Sequence, residues 1–159
     1  DLVSSRGLGD VYKRQKYANG LVYEGEFSRG KNNGFGTMTY SDGYVYKGNW
    51  KNGIQEGEGE EKFPNGTTYK GEFKNNQRHG KGTMKMEDGF SYTGDWVSGE
   101  MSGKGIVVYA NGDRYDGYFL NGKREGKGVM TFQDGGVIDT IWKAGKEVKK
   151  DKSKTTPSN

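Results

Sequence analysis

The sequence predicts an all-β chain, an elongated single-layer antiparallel β-meander solenoid of 23-residue hairpin repeats. Three observations carry this prediction. A 23-residue period starts at Tyr23, recurs at Tyr46, Tyr69, Tyr92 and Tyr115, and fades in a sixth unit from Ile138; internal repetition at such a period outranks other sequence signals. Of the 29 glycines, 26 fall on five fixed positions of the unit. Two stretches of each unit alternate in polarity at period two, the mark of half-buried strands.

Residues 1–16 stand outside the pattern. Projecting the unit backwards fits Tyr17, Asn19 and Gly20, but Val11 and Lys13 occupy positions that call for glycine. With no starting Met, this stretch reads as a non-native or disordered leader, and the natural protein is expected to continue upstream. The array itself spans 17–142, as a partial repeat, five full repeats and a partial C-terminal cap. Each unit opens with a strand reading Tyr, polar, Gly, polar, Phe or Trp, which places Phe27, Trp50, Phe73, Trp96, Phe119 and Trp142 four residues after the unit start. The glycine between the two aromatics leaves room for a neighbouring ring over the strand. A glycine-bearing loop follows, such as Ser28 to Gly34. Asn76 replaces glycine in the third loop, and Asn tolerates positive φ best among the other residues, so a left-handed turn is expected there. A second strand, such as Gly36 to Tyr40, and an Asp-Gly or Asn-Gly turn complete the unit. About eleven or twelve strands and no helix are expected across the array. The sixth unit has Ile138 for Tyr and Thr140 for Gly, keeps Trp142, and gives way to a basic tail over 143–159 that reads as disordered, its lysines guarding an exposed edge.

Only 30% of the 159 residues are hydrophobic, too few for a thick two-layer core. The 13% aromatics at fixed phase argue against disorder. The net charge of +4 sits at the ends: residues 143–159 carry six lysines against two acids, whereas Tyr17 to Trp142 is close to neutral. No basic stripe of the kind nucleic acid requires is visible, so no nucleic-acid partner is expected. With no cysteine and one histidine, thiolate chemistry and a zinc site are not expected, and no cofactor is called for. No apolar run approaches the length of a membrane span. A cytoplasmic setting, peripheral to a membrane or cytoskeletal structure, is the expectation.

The unit Tyr-x-Gly-x-Phe/Trp, Gly-Lys-x-x-Gly-x-Gly, Tyr-x-Asp-Gly is similar to the MORN repeat (membrane occupation and recognition nexus), most clearly over Tyr115 to Gly135. The resemblance covers 17–142. Met86 departs from it by replacing an aromatic, Asn76 by replacing Gly, and Glu61 by standing where other units have Met38, Met84 and Met130. It implies a non-enzymatic scaffold that binds other proteins, in cytoskeletal, ciliary or junctional membrane settings. It equally implies an accessory region of a larger enzyme, such as a phosphatidylinositol phosphate kinase or a SET-domain lysine methyltransferase, or a phosphoinositide-binding module.

His79 in its polar loop reads as solvent-exposed rather than catalytic. Glu56, Glu58, Glu60 and Glu61 read as a solvated strand with cross-strand lysine partners, because alternate residues splay onto opposite faces. The lysine-rich tail offers weak contact with anionic lipid. The candidate binding residues are Ile106, Val108, Tyr118 and Val129. They stand at polar-side positions that repeats one to three fill with residues such as Thr37, Lys47, Glu60 and Lys70, and together they form an apolar patch for a protein partner or for self-association.

Overall fold

The computed structural model describes residues 4–5 and 10–148, and these contain no helix. The strands are β1 (Ser4–Ser5), β2 (Asp10–Lys16), β3 (Val22–Ser28), β4 (Lys31–Thr39), β5 (Val45–Lys51), β6 (Ile54–Lys62), β7 (Thr68–Lys74), β8 (Gln77–Lys85), β9 (Ser91–Val97), β10 (Glu100–Val108), β11 (Arg114–Leu120), β12 (Lys123–Thr131), β13 (Val137–Lys143) and β14 (Lys146–Glu147). They form one 14-stranded sheet in sequential order. This is the expected antiparallel meander, and β3 to β13 supply the repeat array's eleven strands.

The core lies on one face. Tyr23, Tyr46, Tyr69, Tyr92 and Tyr115 are the largest fully buried side chains, with Phe27, Trp50, Phe73, Trp96, Phe119 and Trp142 buried beside them. Each Tyr ring stands edge-on to the Phe or Trp of its own unit and to that of the next. Tyr69, for example, lies 5.2 Å from Phe73 and 5.1 Å from Trp96 at interplanar angles of 90° and 83°. Such T-shaped contacts match the ring quadrupoles, and they zigzag the length of the array.

The glycines between these rings pair with one another across the sheet, from Gly25 opposite Gly36 to Gly117 opposite Gly128. The ring that covers each pair belongs to the Tyr two residues earlier in the same strand, not to a neighbouring unit: a Cβ on Gly82 would sit 2.3 Å from the Tyr69 hydroxyl oxygen. The same hydroxyl donates to the Glu72 carbonyl at 2.9 Å, which fixes the ring in place. Where the ring is lost, the glycine is lost too. Thr140, opposite Gly128, follows Ile138 instead of Tyr, and its hydroxyl relays a hydrogen bond from Trp142 Nε1 to the Gly128 carbonyl.

Three boundaries differ from the sequence reading. The glycine-bearing loops are tight two-residue turns in which both residues have positive φ, such as Asn52 at 52° and Gly53 at 84°, the backbone of primed hairpin turns. Asn76 joins them at 63°, as expected. The second strand of each unit therefore begins at once, at Lys31 rather than Gly36 in the first, and the glycine that looked like loop punctuation is a bulge: Gly34 has φ 91°, and pairing passes from Asn32 opposite Phe27 to Gly36 opposite Gly25. Asp10–Lys16, placed outside the array from sequence, pairs with β3 along its whole length, and Lys13 Nζ lies 4.1 Å from the Phe27 ring centroid. At the other end a last turn at Ala144 and Gly145 leads into β14, so 143–147 continue the hairpin rather than the tail. Val148 donates its amide to the Ile141 carbonyl at 2.7 Å, and the basic tail from residue 149 lies outside the described residues.

Candidate functional site

One row of side chains crosses the outer face at right angles to the strands, and the pairing register fixes its order. Lys47 stands opposite Glu60, Glu60 opposite Lys70, and Lys70 opposite Thr83. Thr83 then faces Thr93, Thr93 faces Ile106, Ile106 faces Asp116, and Asp116 faces Val129. The row is charged over repeats two and three, small at the two threonines, and partly apolar over repeats four and five.

All four predicted residues lie on this outer face, but they do not form one patch. Tyr118, 53% exposed, and Val129, 37% exposed, line a surface groove of about 570 Å³ together with Ile141, with Lys104, Lys127, Asp116 and Asp139 around them. Ile106 is separated from Val129 by Asp116, and Val108 lies a row further, opposite Arg114. Ile141, which sequence reasoning missed, occupies the same unit position as Tyr118, so repeat alignment alone could have found it.

That position has a structural duty in other repeats. The carboxylates of Glu26, Glu72 and Asp95 accept hydrogen bonds from the bulge amides of Phe35, Lys81 and Lys104 at 2.9, 3.0 and 2.9 Å. Each also packs against the bulge glycine, whereas nothing lies within 4 Å of a Cβ built on Gly126 in the fifth repeat. Tyr118 cannot supply the carboxylate and turns outward. In the fifth repeat Tyr115 donates to the Tyr118 carbonyl at 3.4 Å, against 2.8 Å for the Tyr92 to Asp95 equivalent.

A second groove, of about 600 Å³, gathers Lys47, Lys62, Lys70 and Lys85 around Glu60. Composition hid this local excess of lysine, because acidic residues elsewhere in the array offset it. Glu60 pairs with Lys70 at 2.8 Å, the cross-strand partner expected for it. The Lys70 hydrogen bond holds the Glu60 carboxyl below its ordinary pKa, and Glu60 pushes the Lys70 ammonium up.

Glu61 belongs to the other face. Its carboxylate takes Arg78 Nε at 2.6 Å and the Tyr44 hydroxyl at 2.7 Å, and the Arg78 guanidinium spreads over Tyr69 and Trp96. Arg124, one unit position equivalent to Arg78, stacks 3.3 Å from the Trp142 ring centroid, with Val107 where Glu61 would stand. Sequence reasoning assigned neither arginine. His79 lies on β8, not in a loop, and is partly buried. Among the described residues no three His, Asp or Glu side chains converge as a metal would need.

The MORN repeat model matches five consecutive stretches, residues 23–43, 46–68, 69–90, 92–114 and 115–137. The chain therefore belongs to the MORN repeat family. Among solved structures it is similar to the TCP domain of SAS-4 (dCPAP) from Drosophila melanogaster, in complex with a proline-rich motif of Ana2 (dSTIL), at 13% identity over 88% of this chain and 77% of that one, with a TM-score of 0.55. The TCP10 domain of Danio rerio CPAP, in complex with a peptide of Danio rerio STIL, aligns at 17% identity over 83% of this chain and 63% of that one, with a TM-score of 0.42. At 13% identity the likeness to the Drosophila domain is one of fold. No curated protein matches the chain.

Proposed function

We propose that this MORN array is a non-catalytic protein-interaction module that works through its outer face. The observation that carries the reading is Tyr118: a position that holds the bulge together in three other repeats is given instead to a large exposed aromatic beside Val129 and Ile141. Exposed Tyr in an apolar depression with a polar rim is the usual composition of a protein-binding hot spot. The fold supports the reading, since an open sheet with a self-sufficient aromatic face leaves its other face available. The Drosophila TCP domain, a similar sheet, was itself solved with a peptide bound. The lysine-rich segment beyond Lys143 supports a seat near an anionic membrane surface.

The test is comparative capture from cell extract with the wild-type array and the Tyr118→Ser/Val129→Thr variant, quantified protein by protein. Thr keeps the β-branched shape of Val on the strand, so the fold should persist. A defined set of proteins should drop about tenfold or more, since removing a hot-spot residue costs about 2 kcal/mol. Identical profiles from two equally folded proteins would sink the reading.

A further inference from the structure

Both outer-face grooves straddle a single row: Lys47, Glu60 and Lys70 of one and Val129 of the other stand on it, with Lys62 and Lys85 flanking it on one side and Tyr118 and Ile141 on the other, and its register gives the spacing. From Lys70 on β7 to Val129 on β12 there are five strand intervals, which at about 4.8 Å each is about 24 Å. Between the grooves the row is low. Thr83 and Thr93 share a hydrogen bond at 3.0 Å between their hydroxyls, with the Lys81 and Asp95 ion pair on one side and Lys85 on the other. This low stretch is one residue wide and joins the lysine-rich depression to the one that holds Tyr118, Val129 and Ile141.

We propose that the outer face holds one extended, bipartite segment of a partner protein, which runs along this row across the strands. Its acidic residues lie over Lys47, Lys62 and Lys85, and an apolar side chain enters the groove of Tyr118, Val129 and Ile141. The inference rests on the reading of the array as an interaction module and adds the partner's chemistry and shape. The acidic end follows from charge: Glu60 engages Lys70, and Lys47, Lys62 and Lys85 form no ion pair among the described residues. The extended form follows from distance and width. About seven residues at roughly 3.3 Å each span the gap, whereas a helix would need about sixteen and is about 10 Å across, wider than the row between its flanking side chains. A second copy of this chain would have to bring a matching acidic strip.

The experiment is a fluorescence-anisotropy series against the folded array. The probes are labelled peptides that join Glu-Asp-Glu to Leu-Phe through polar spacers shorter than, equal to and longer than about seven residues, in both chain directions. The matched spacer in one direction should bind about tenfold more tightly than the short one, because only then do both ends engage together. Lys47→Gln/Lys62→Gln/Lys85→Gln should weaken it by about tenfold at low salt and flatten its salt dependence. Tyr118→Ser should weaken it at every salt concentration.

Affinity that ignores spacer length, or no saturable binding by any member, overturns the bipartite segment. So does equal displacement by anionic vesicles or a single-stranded oligonucleotide, which would mark a plain polyanion surface. So does Tyr118-dependent dimerisation that excludes the peptides, which would make a second copy the occupant. If spacing is irrelevant while Tyr118→Ser still abolishes capture from extract, the bipartite segment falls and the interaction module stands. If Tyr118→Ser/Val129→Thr changes neither peptide binding nor capture, both fall.

Discussion

The packing of rings over glycines makes a quantitative prediction about the pair Gly82 and Tyr69. A Cβ added at Gly82 would lie 2.3 Å from the Tyr69 hydroxyl oxygen and 2.5 Å from Cε2 and Cζ, and these ring atoms are its nearest neighbours. The ring has nowhere to go. It is 1% exposed, wedged between Phe73 and Trp96, and tied by its hydroxyl to the Glu72 carbonyl. Nor can the strand retreat freely, since the Gly82 carbonyl accepts from Trp96 Nε1 at 3.1 Å. Gly82→Ala should therefore cost about 2–3 kcal/mol as overpacking. Tyr69→Leu alone should cost about 3 kcal/mol, from lost ring contacts and a residual cavity. In the double variant the added methyl occupies space the ring has left, so the total should fall short of the sum by about 1–2 kcal/mol. Urea unfolding followed by tryptophan fluorescence measures the cycle, and Thr83→Val, one residue along on the outer face, should be nearly neutral. Strict additivity of the two single changes would refute the account of why these glycines recur.

The Glu61 and Arg78 pair should behave as a unit. Glu61→Met leaves the guanidinium without its carboxylate over Tyr69 and Trp96 and should cost about 2 kcal/mol, while Glu61→Met/Arg78→Met, which copies the Met84 and Met101 combination one repeat later, should return to within about 1 kcal/mol of wild type by the same denaturation assay. The buried tyrosines predict base-induced unfolding. Burial raises Tyr23, Tyr46, Tyr69, Tyr92 and Tyr115 above the ordinary value of 10, so the folded state holds its protons longer than the unfolded one. Stability is then intact below about pH 10 and falls above it, by about 1.4 kcal/mol per pH unit for each ring that stays neutral in the fold. Tyrosinate absorbance of these rings should rise together with unfolding, and a gradual titration near pH 10 with intact dichroism would contradict it.

The aromatic face was legible because its rule is local. Tyr, Gly and Phe or Trp at alternate positions of one strand must share a face, whatever the neighbouring strands do. The Asn76 turn was legible for a similar reason, since only a positive φ explains Asn in a column of glycines. Strand lengths were not, because a bulge glycine and a turn glycine look alike until the pairing is seen. Gly34 and Gly30 both have positive φ, yet one lies inside a strand and the other ends it. Residues between the turn and the bulge were harder still. Arg78 and Arg124 follow the turn in the stretch read as loop, so alternation was never counted through them, and their place over Tyr69 and Trp142 stayed hidden. The apolar patch was half legible: which face its members occupy depends on period two alone, but which of them touch depends on the register between strands, and Asp116 stands between Ile106 and Val129.

Departures from the repeat divide into those the structure compensates and those it does not. Ile138 for Tyr is compensated, since Thr140 fills the space the ring would take and completes the bond from Trp142. Tyr118 is not. It removes the acceptor that Glu26, Glu72 and Asp95 supply elsewhere and leaves the Gly126 bulge uncovered. A loss carried without local benefit is what a binding residue entails. Tyr118→Asp should accordingly restore a charge-assisted bond to the Lys127 amide and raise stability by about 1 kcal/mol, worth roughly 3–5 °C in melting temperature at this length. The same change should reduce partner capture as severely as Tyr118→Ser, because it also empties the apolar groove. A variant that captures partners normally would show that the aromatic ring is incidental, and one that melts earlier than wild type would show that the fifth repeat has no use for the carboxylate that three other repeats carry.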